Sequence, residues 1–342
     1  MYDLVTFGEA MLRLSPPHFR RLEQTTTLEV NVGGAELNVA VAAARLGLRS
    51  CWVSRLPDNP LGRLIRNKAR EQGVATEHIL WSTTDRCGLY FFEFGATPRP
   101  SAVLYDRAHS AISKIQPGEV NWEAIFTQAK HFHTSGITPA LSPSCAEVTA
   151  EALKAAQAAD CSVSYDLNYR GKLWTEEEAR RCQEPLMEYV DILITTEEDT
   201  ARVFKITAEE APSDETFREV AAETYKQVAV KLQEKFGFKI VAITLREMLS
   251  VWKNTWTAIV YSEGQFYEDL KREVDIVDRL GAGDSFSAGF LYGYLSGWDL
   301  GEALRFGNAF SALKHSVPGD LNWINPEEVE ALLKGEGLRV RR

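Results

Sequence analysis

Residues 2–9, YDLVTFGE, form a short apolar run closed by a glycine, which predicts a buried first strand. Two stretches rich in β-branched residues, 11–16 (MLRLSP) and 22–34 (LEQTTTLEVNVGG), predict further strands. The pattern then changes. Residues 35–47, AELNVAVAAARLG, are small and apolar and stop at Gly47, as a buried helix with a glycine C-cap does. A strand at 50–56 and a helix at 60–73 follow, then two more strand-like runs, 88–95 (GLYFFEFG) and 101–107 (SAVLYDR). From about residue 130 the alternation is regular: strands at 130–136, 161–168 and 191–196 are separated by helices at 142–160 and 175–190. Such alternation predicts βαβ units and an α/β fold with a mostly parallel central sheet, covered on both faces. Beyond it come a charged helical segment at 207–237, read as an inserted surface element, strands near 238–245, 249–261 and 265–268, and helices from about 284, 301 and 326. The expectation is one domain over residues 1–342, with the pieces 11–34 and 88–107 pairing into a small sheet that projects from the main body.

Composition narrows what such a domain can bind. The hydrophobic fraction of 45% and charged fraction of 25% are ordinary for a folded protein. A net charge of −10 offers no overall basic footprint to nucleic acid or to an anionic membrane, so an anionic ligand must be met by a local cluster. The five cysteines (51, 87, 145, 161 and 182) are widely spaced, odd in number and contain no C-x-x-C pair, which points to the reducing cytoplasm. MYDLVTFGEAMLRLSPP lacks the basic and apolar regions of a signal peptide, and no apolar run approaches the ~20 residues that span a bilayer.

Candidate chemistry concentrates in VDRLGAGDSFSAGF, residues 277–290. Gly281 and Gly283 permit tight turns whose N–H groups converge at a helix start, a site for anions. Such a turn, Gly281-Ala282-Gly283, stabilises charge developing on a transferring phosphoryl group, and Asp284 beside it is placed to take a proton from an attacking hydroxyl. The same residues also read as a plain turn with Asp284 as N-cap. A dinucleotide fingerprint is excluded because Phe286 fills the third glycine position, and the Walker lysine is missing. A second cluster, NVGGAELNVA (31–40), sets Gly33 and Gly34 at a strand-to-helix junction with Asn38 one turn further on. It suits either a small ligand approaching the backbone or a helix packed closely on a sheet.

Together the two clusters resemble the ribokinase-like (PfkB) carbohydrate kinase family, with its G-G-x-x-x-N-x-A and D-x-x-G-A-G-D-x-F motifs in this order along essentially the whole chain. The resemblance implies a three-layer α/β/α fold with a small β-sheet lid, ATP and magnesium as co-substrates, Asp284 as general base, and an anion hole at Gly281, Ala282 and Gly283. Within the family, FGEAMLRLSPP, RLPDNPLG, LYDR and DLNYRGKLW are similar to the 2-keto-3-deoxygluconate kinase branch. That likeness implies substrate contacts at Gly33, Gly34, Asn38, Tyr90, Tyr105, Arg107, Arg170 and Asp320. It places the nucleotide against Asn168, Arg170, Thr244, Arg246, Gly281, Gly283 and Asn308. Charge logic agrees: a sugar acid needs its carboxylate neutralised, and Arg107 and Arg170 at strand ends are suited to do it as a fork.

The chain departs from the family in three places. TLREML (244–249) puts Arg246 and Leu249 where glycines are usual, TEED (196–199) puts Thr196 and Asp199 where asparagine and glutamate are usual, and Pro57 replaces a common glycine. These departures leave the magnesium contacts unassigned. His131 and His133 share one strand face and read as packing residues, since no third ligand lies nearby. Kinase action on a neutral sugar of the fructose or ribose type, and a catalytically silent sugar sensor, are the competing expectations. A projecting sheet has edges and an apolar face to protect, so a homodimer or dimer-based assembly is expected.

Overall fold

The computed structural model describes residues 1–208 and 217–335. In chain order its strands are β1 Leu4–Phe7, β2 Met11–Ser15, β3 Glu29–Gly33, β4 Ser50–Pro57, β5 Ile79–Ser82, β6 Leu89–Glu93, β7 Ala102–Asp106, β8 His131–Ser135, β9 Ser162–Asp166, β10 Ile192–Thr195, β11 Ile240–Ser250, β12 Lys253–Ser262, β13 Gln265–Glu268 and β14 Arg272–Asp275. The helices are α1 Ala35–Arg45, α2 Pro60–Glu71, α3 Trp122–Phe126, α4 Pro143–Ala158, α5 Glu176–Gln183, α6 Glu197–Phe204, α7 Phe217–Phe236, α8 Ala282–Leu295, α9 Leu300–Lys314 and α10 Pro326–Leu333.

The main sheet runs β13-β12-β11-β10-β9-β8-β1-β4-β5, with β14 also paired to β12. Neighbours from β5 to β11 are parallel, and the β12 pairings are antiparallel. Parallel strands covered on both faces need apolar side chains on both, and β10 (ILIT) supplies them by its period of two. Ile192 and Ile194 pack with Phe286 and Phe290 of α8, while Leu193 packs on the opposite layer with Val203 and Leu232. On the first of these layers α8 and α9 approach very closely. A Cβ on Gly289 would stand 2.9 Å from the Gly307 Cα, and one on Gly293 would stand 2.7 Å from the Ala303 Cβ.

A second, four-stranded sheet has the order β3-β2-β6-β7. Arg13 lies opposite Asn31 and Tyr90, and Tyr90 opposite Tyr105, so these side chains share one face. The other face carries Leu14, Val30, Phe91 and Leu104, of which Val30 is 52% and Leu104 59% exposed.

Several elements differ from the sequence expectation. Of residues 22–34 only Glu29–Gly33 is strand, because Leu22–Gln24 forms a 3-10 turn whose Leu22 N–H donates to Glu93. The helix expected over 175–190 ends at Gln183, where Pro185 brings a 3-10 segment, Glu184–Tyr189. No break falls between 245 and 249. TLREMLS has neither glycine nor proline, so β11 continues to Ser250 and turns through Val251 and Trp252 into β12 as one long hairpin. The segment 207–237, read as a surface insertion, is described from Phe217 onward as α7, whose buried Val228, Ala229 and Leu232 belong to the core where α7 packs on β11 and β12. Its residues 209–216 lie outside the described residues. Strands β5 and β14 and helices α3 and α6 were not expected. Among the described residues no helix is long and apolar enough to cross a membrane.

Candidate active site

The carboxyl ends of β9 and β10 and the middle of β11 meet the amino end of α8, at the edge where open parallel sheets receive ligands. A cavity of about 610 Å³ lies there, lined by Asp166, Asn168, Arg170, Thr195, Asp199, Thr244, Arg246 and the whole turn from Gly281 to Asp284. Gly281 is the N-cap of α8 in a left-handed conformation, φ +78°, and a Cβ on it would overlap the carbonyl oxygen of Asp320. Its own carbonyl accepts the Ser285 N–H at 2.9 Å and starts the helix. Ala282 is buried, whereas Gly283 is exposed and a Cβ there would meet nothing within 4 Å. The first-turn N–H groups of α8 therefore stand at the cavity with the positive end of the helix dipole.

Asp284 is not a cap. It occupies the third position of α8, and its Oδ2 accepts from Asn38 Nδ2 at 2.7 Å. Asn38 Oδ1 in turn accepts the Gly34 N–H at 3.4 Å, so one amide joins the two glycine clusters, 246 residues apart along the chain. Burial pushes the Asp284 carboxyl up to about 6, against the hydrogen bond from Asn38 and the charge of Arg170, with Asp320 adding repulsion. Asp166 is also raised well above the usual carboxylate range, by burial and by the charges of Asp284 and Asp199. Asp199 is raised as well, chiefly by burial. Sequence reasoning did not single out Asp166, whose only local signal is its place at a strand end before Asn168.

A base must be ionised to accept a proton, so transfer through Asp284 is expected to be half-maximal at pH about 6 and to reach its plateau above about pH 7. Below pH 6 kcat/KM is expected to fall about tenfold per pH unit. A pH profile of kcat/KM checks this; an acid limb near pH 4, the range of an ordinary aspartate, overturns the assignment.

A second cavity, about 630 Å³, is lined by Tyr105, Arg107, Ser113, Leu141, Arg170 and Lys172 among others, and it shares Tyr105 and Arg170 with the first. Arg107 and Arg170 both line this cavity, and Arg107 is anchored. Its guanidinium pairs with Glu9, which also accepts the Ser110 hydroxyl at 2.7 Å, and it lies over the Tyr105 ring at 5.3 Å. The Arg107 Nε is buried and has no partner among the described residues. Glu9 was missed in the sequence because its partner lies 98 residues away.

Other candidate residues already have partners within the fold. Tyr90 is 5% exposed and donates its hydroxyl to Asp320, and Asp320 pairs with Arg13 at 2.8 Å, so neither lines the two cavities just described. A Cβ on Gly33 would overlap the Asp320 carboxylate and one on Gly34 the Glu9 carbonyl, so close packing explains both glycines and neither lines these cavities. Asn308 is fully buried, donates to Asp269 at 3.2 Å and lines neither cavity. Thr196 serves as N-cap of α6, accepting the Asp199 N–H at 3.1 Å. His131 and His133 bond Ser162 and Ser164 inside the sheet, and burial lowers both imidazoles to about 3.

Comparison with known proteins covers nearly the full chain. The family model described as pfkB family carbohydrate kinase matches residues 1–327. The chain is 40% identical to a 2-dehydro-3-deoxygalactonokinase of Haloferax volcanii over 99% of both chains. It is 29% identical to a 2-dehydro-3-deoxygluconokinase of Bacillus subtilis, over 95% of this chain and 93% of the other. The crystal structure of a 2-dehydro-3-deoxygluconokinase from Thermotoga maritima superposes with a TM-score of 0.92 at 45% identity, covering 98% of this chain and all of that one. With a glycine turn at the start of α8, a carboxylate beside it and a separate four-stranded sheet in one α/β frame, the chain belongs to the pfkB family of carbohydrate kinases.

Proposed function

We propose that this protein transfers the γ-phosphoryl group of ATP to the primary hydroxyl of a 2-keto-3-deoxy aldonate, the sugar acid class named for its relatives in Haloferax, Bacillus and Thermotoga. The observation that carries the reading is the paired cavities. One holds the anion turn and Asp284, the other has Arg107, Arg170 and Lys172 on its wall, and Arg170 and Tyr105 belong to both. A neutral sugar has no use for a wall of cations, whereas a carboxylate gains charge-assisted hydrogen bonds from it.

In this mechanism the sugar acid lies with its carboxylate at Arg107 and Arg170 and its primary hydroxyl at Asp284. Asp284, held by Asn38, accepts the hydroxyl proton as the oxygen attacks phosphorus. The N–H groups of the 281–284 turn receive the charge spread over the equatorial oxygens. Arg246 and Thr244 on the wall of the nucleotide cavity, with Asn168 opposite, bound the space for the triphosphate. Magnesium on a nucleotide takes few protein ligands and keeps several waters, and the carboxylates of Asp166 and Asp199 on that wall fit such a partial coordination. The ion supplies charge neutralisation of the triphosphate. Tyr105, half over the Arg107 guanidinium, covers the apolar edge of the sugar acid.

The test is an ATP-consumption assay over a panel of sugars and sugar acids, run on the wild type and on Arg107→Ala. The sugar acids are expected to turn over, with KM for the best of them raised about 10- to 100-fold by the mutation, the loss of one charge-assisted contact. A neutral sugar as the better substrate, with KM indifferent to Arg107→Ala, overturns the sugar-acid reading. No turnover on any member of the panel favours the silent sensor.

A further inference from the structure

Behind the turn that meets the phosphoryl group lies a buried ionic cluster that the reaction itself does not use. Arg13, on β2 of the small sheet, has a side chain 2% exposed and forks onto two carboxylates, Asp278 at 2.6 Å and Asp320 at 2.8 Å. Its Nε donates to Ser15 at 3.0 Å, and its guanidinium lies over the rings of Phe92 and Phe94 at 5.0 and 5.3 Å. Ser15, Phe92 and Phe94 are carried by β2, by β6 and by the residue after β6, so one end of Arg13 is fixed entirely by the small sheet.

The other end reaches the turn. Asp278 Oδ1 accepts the Leu280 N–H at 3.1 Å and Oδ2 accepts the Gly319 N–H at 3.0 Å, which sets the path of the chain into Gly281. Asp320 presses its carbonyl against Gly281 and its carboxylate against Gly33, and it takes the Tyr90 hydroxyl from β6. Lys314, fully buried, donates to the Val317 carbonyl at 3.2 Å beside the same turn and feels the charges of Asp278, Asp320 and Asp284. Each carboxylate therefore belongs at once to the turn and to the small sheet.

We propose that Arg13 is a positioning residue that couples the small sheet to the phosphoryl-transfer turn. The sheet's inner face, through Tyr105, also lines both cavities, so a bound acceptor bears on the sheet and the sheet bears on the turn through Arg13. Acceptor binding and nucleotide binding are then linked, and by reciprocity each strengthens the other. Lysine keeps the charge but cannot fork onto two carboxylates, so Arg13→Lys removes the link without changing the charge of the cluster.

The proposal rests on the two-cavity reading above, and the acceptor used in its test is whichever member of the sugar panel turns over best, so failure of the sugar-acid assignment leaves the test intact. The Kd of a non-hydrolysable ATP analogue is measured by calorimetry with and without saturating acceptor, for wild type and Arg13→Lys. Wild type is expected to bind the analogue at least about fivefold more tightly with acceptor present. In Arg13→Lys that ratio is expected to fall to about one, the Kd without acceptor staying within about twofold, and kcat per analogue-binding site dropping roughly 10- to 100-fold. Counting sites by the analogue excludes unfolded protein from the comparison, and Tyr90→Phe, which frees one oxygen of Asp320, provides a milder variant in which the ratio falls part of the way. A wild-type ratio of one, or a ratio and a kcat that both survive in Arg13→Lys, overturns the proposal.

Discussion

Asp284→Asn is expected to lower kcat by about 10²- to 10⁴-fold, the range of a lost general base, with the Kd for the sugar acid within about twofold of wild type. The amide is isosteric, and its oxygen still accepts from Asn38, so the tie between the two glycine clusters persists. What disappears is the lone pair that takes the proton. Stability gives a useful control, because the folded carboxyl titrates at about 6, above its ordinary 3.8. The favourable contribution of the protonated group is present below pH 3.8 and lost as pH rises through 6, so at pH 8 an ionised, buried Asp284 costs stability. The variant is therefore expected to melt no lower than wild type at pH 8. Turnover near the wild-type rate, in a variant that binds acceptor normally, removes Asp284 from the mechanism.

The second large effect separates two glycines that look alike in sequence. Gly283→Ala is expected to cost about 10²-fold in kcat, the scale of a spoiled anion hole, while Tm holds or rises slightly. A Cβ at 283 meets no protein atom within 4 Å, and alanine is better than glycine in a helix by roughly 0.5–1 kcal/mol. In the proposed mechanism the new methyl crowds the phosphate oxygens that approach the first-turn N–H groups. Gly281→Ala differs in kind, since it forces φ near +78° on an L-residue and drives a methyl into Asp320. Thermal melts beside kcat for Gly283→Ala decide the matter: an unchanged kcat places the phosphoryl group elsewhere.

Much of the frame was legible because it is written in local patterns. The alternation from residue 130 onward announces the parallel sheet, and the glycine clusters announce where a helix begins at its edge. Contacts between distant segments leave no such trace. Asn38 holding Asp284, Glu9 anchoring Arg107 and Arg13 bridging Asp278 and Asp320 join residues 98 or more positions apart. Tyr90 and Asp320 were placed near the acceptor, yet each spends its polar group on the other. The long hairpin β11–β12 escaped for a different reason: the family habit of glycines there suggested a loop, whereas TLREMLS has every mark of a continuing strand. Helix α7 is charged enough to resemble a surface insertion, and only the sheet beneath it makes Val228, Ala229 and Leu232 a core face.

The contact between Gly289 and Gly307 constrains the chemistry from behind. A helix is stiff over the five residues that separate Gly289 from Asp284, about 7.5 Å at 1.5 Å per residue, so the rod translates as a whole when its far side is pushed. One methyl added at that crossing would stand 2.9 Å from a backbone atom, too close to be accommodated without a shift, and a shift of α8 carries the carboxylate with it. Tolerance to substitution in this enzyme therefore follows the mechanical reach of α8, and it is narrow at positions that touch neither substrate.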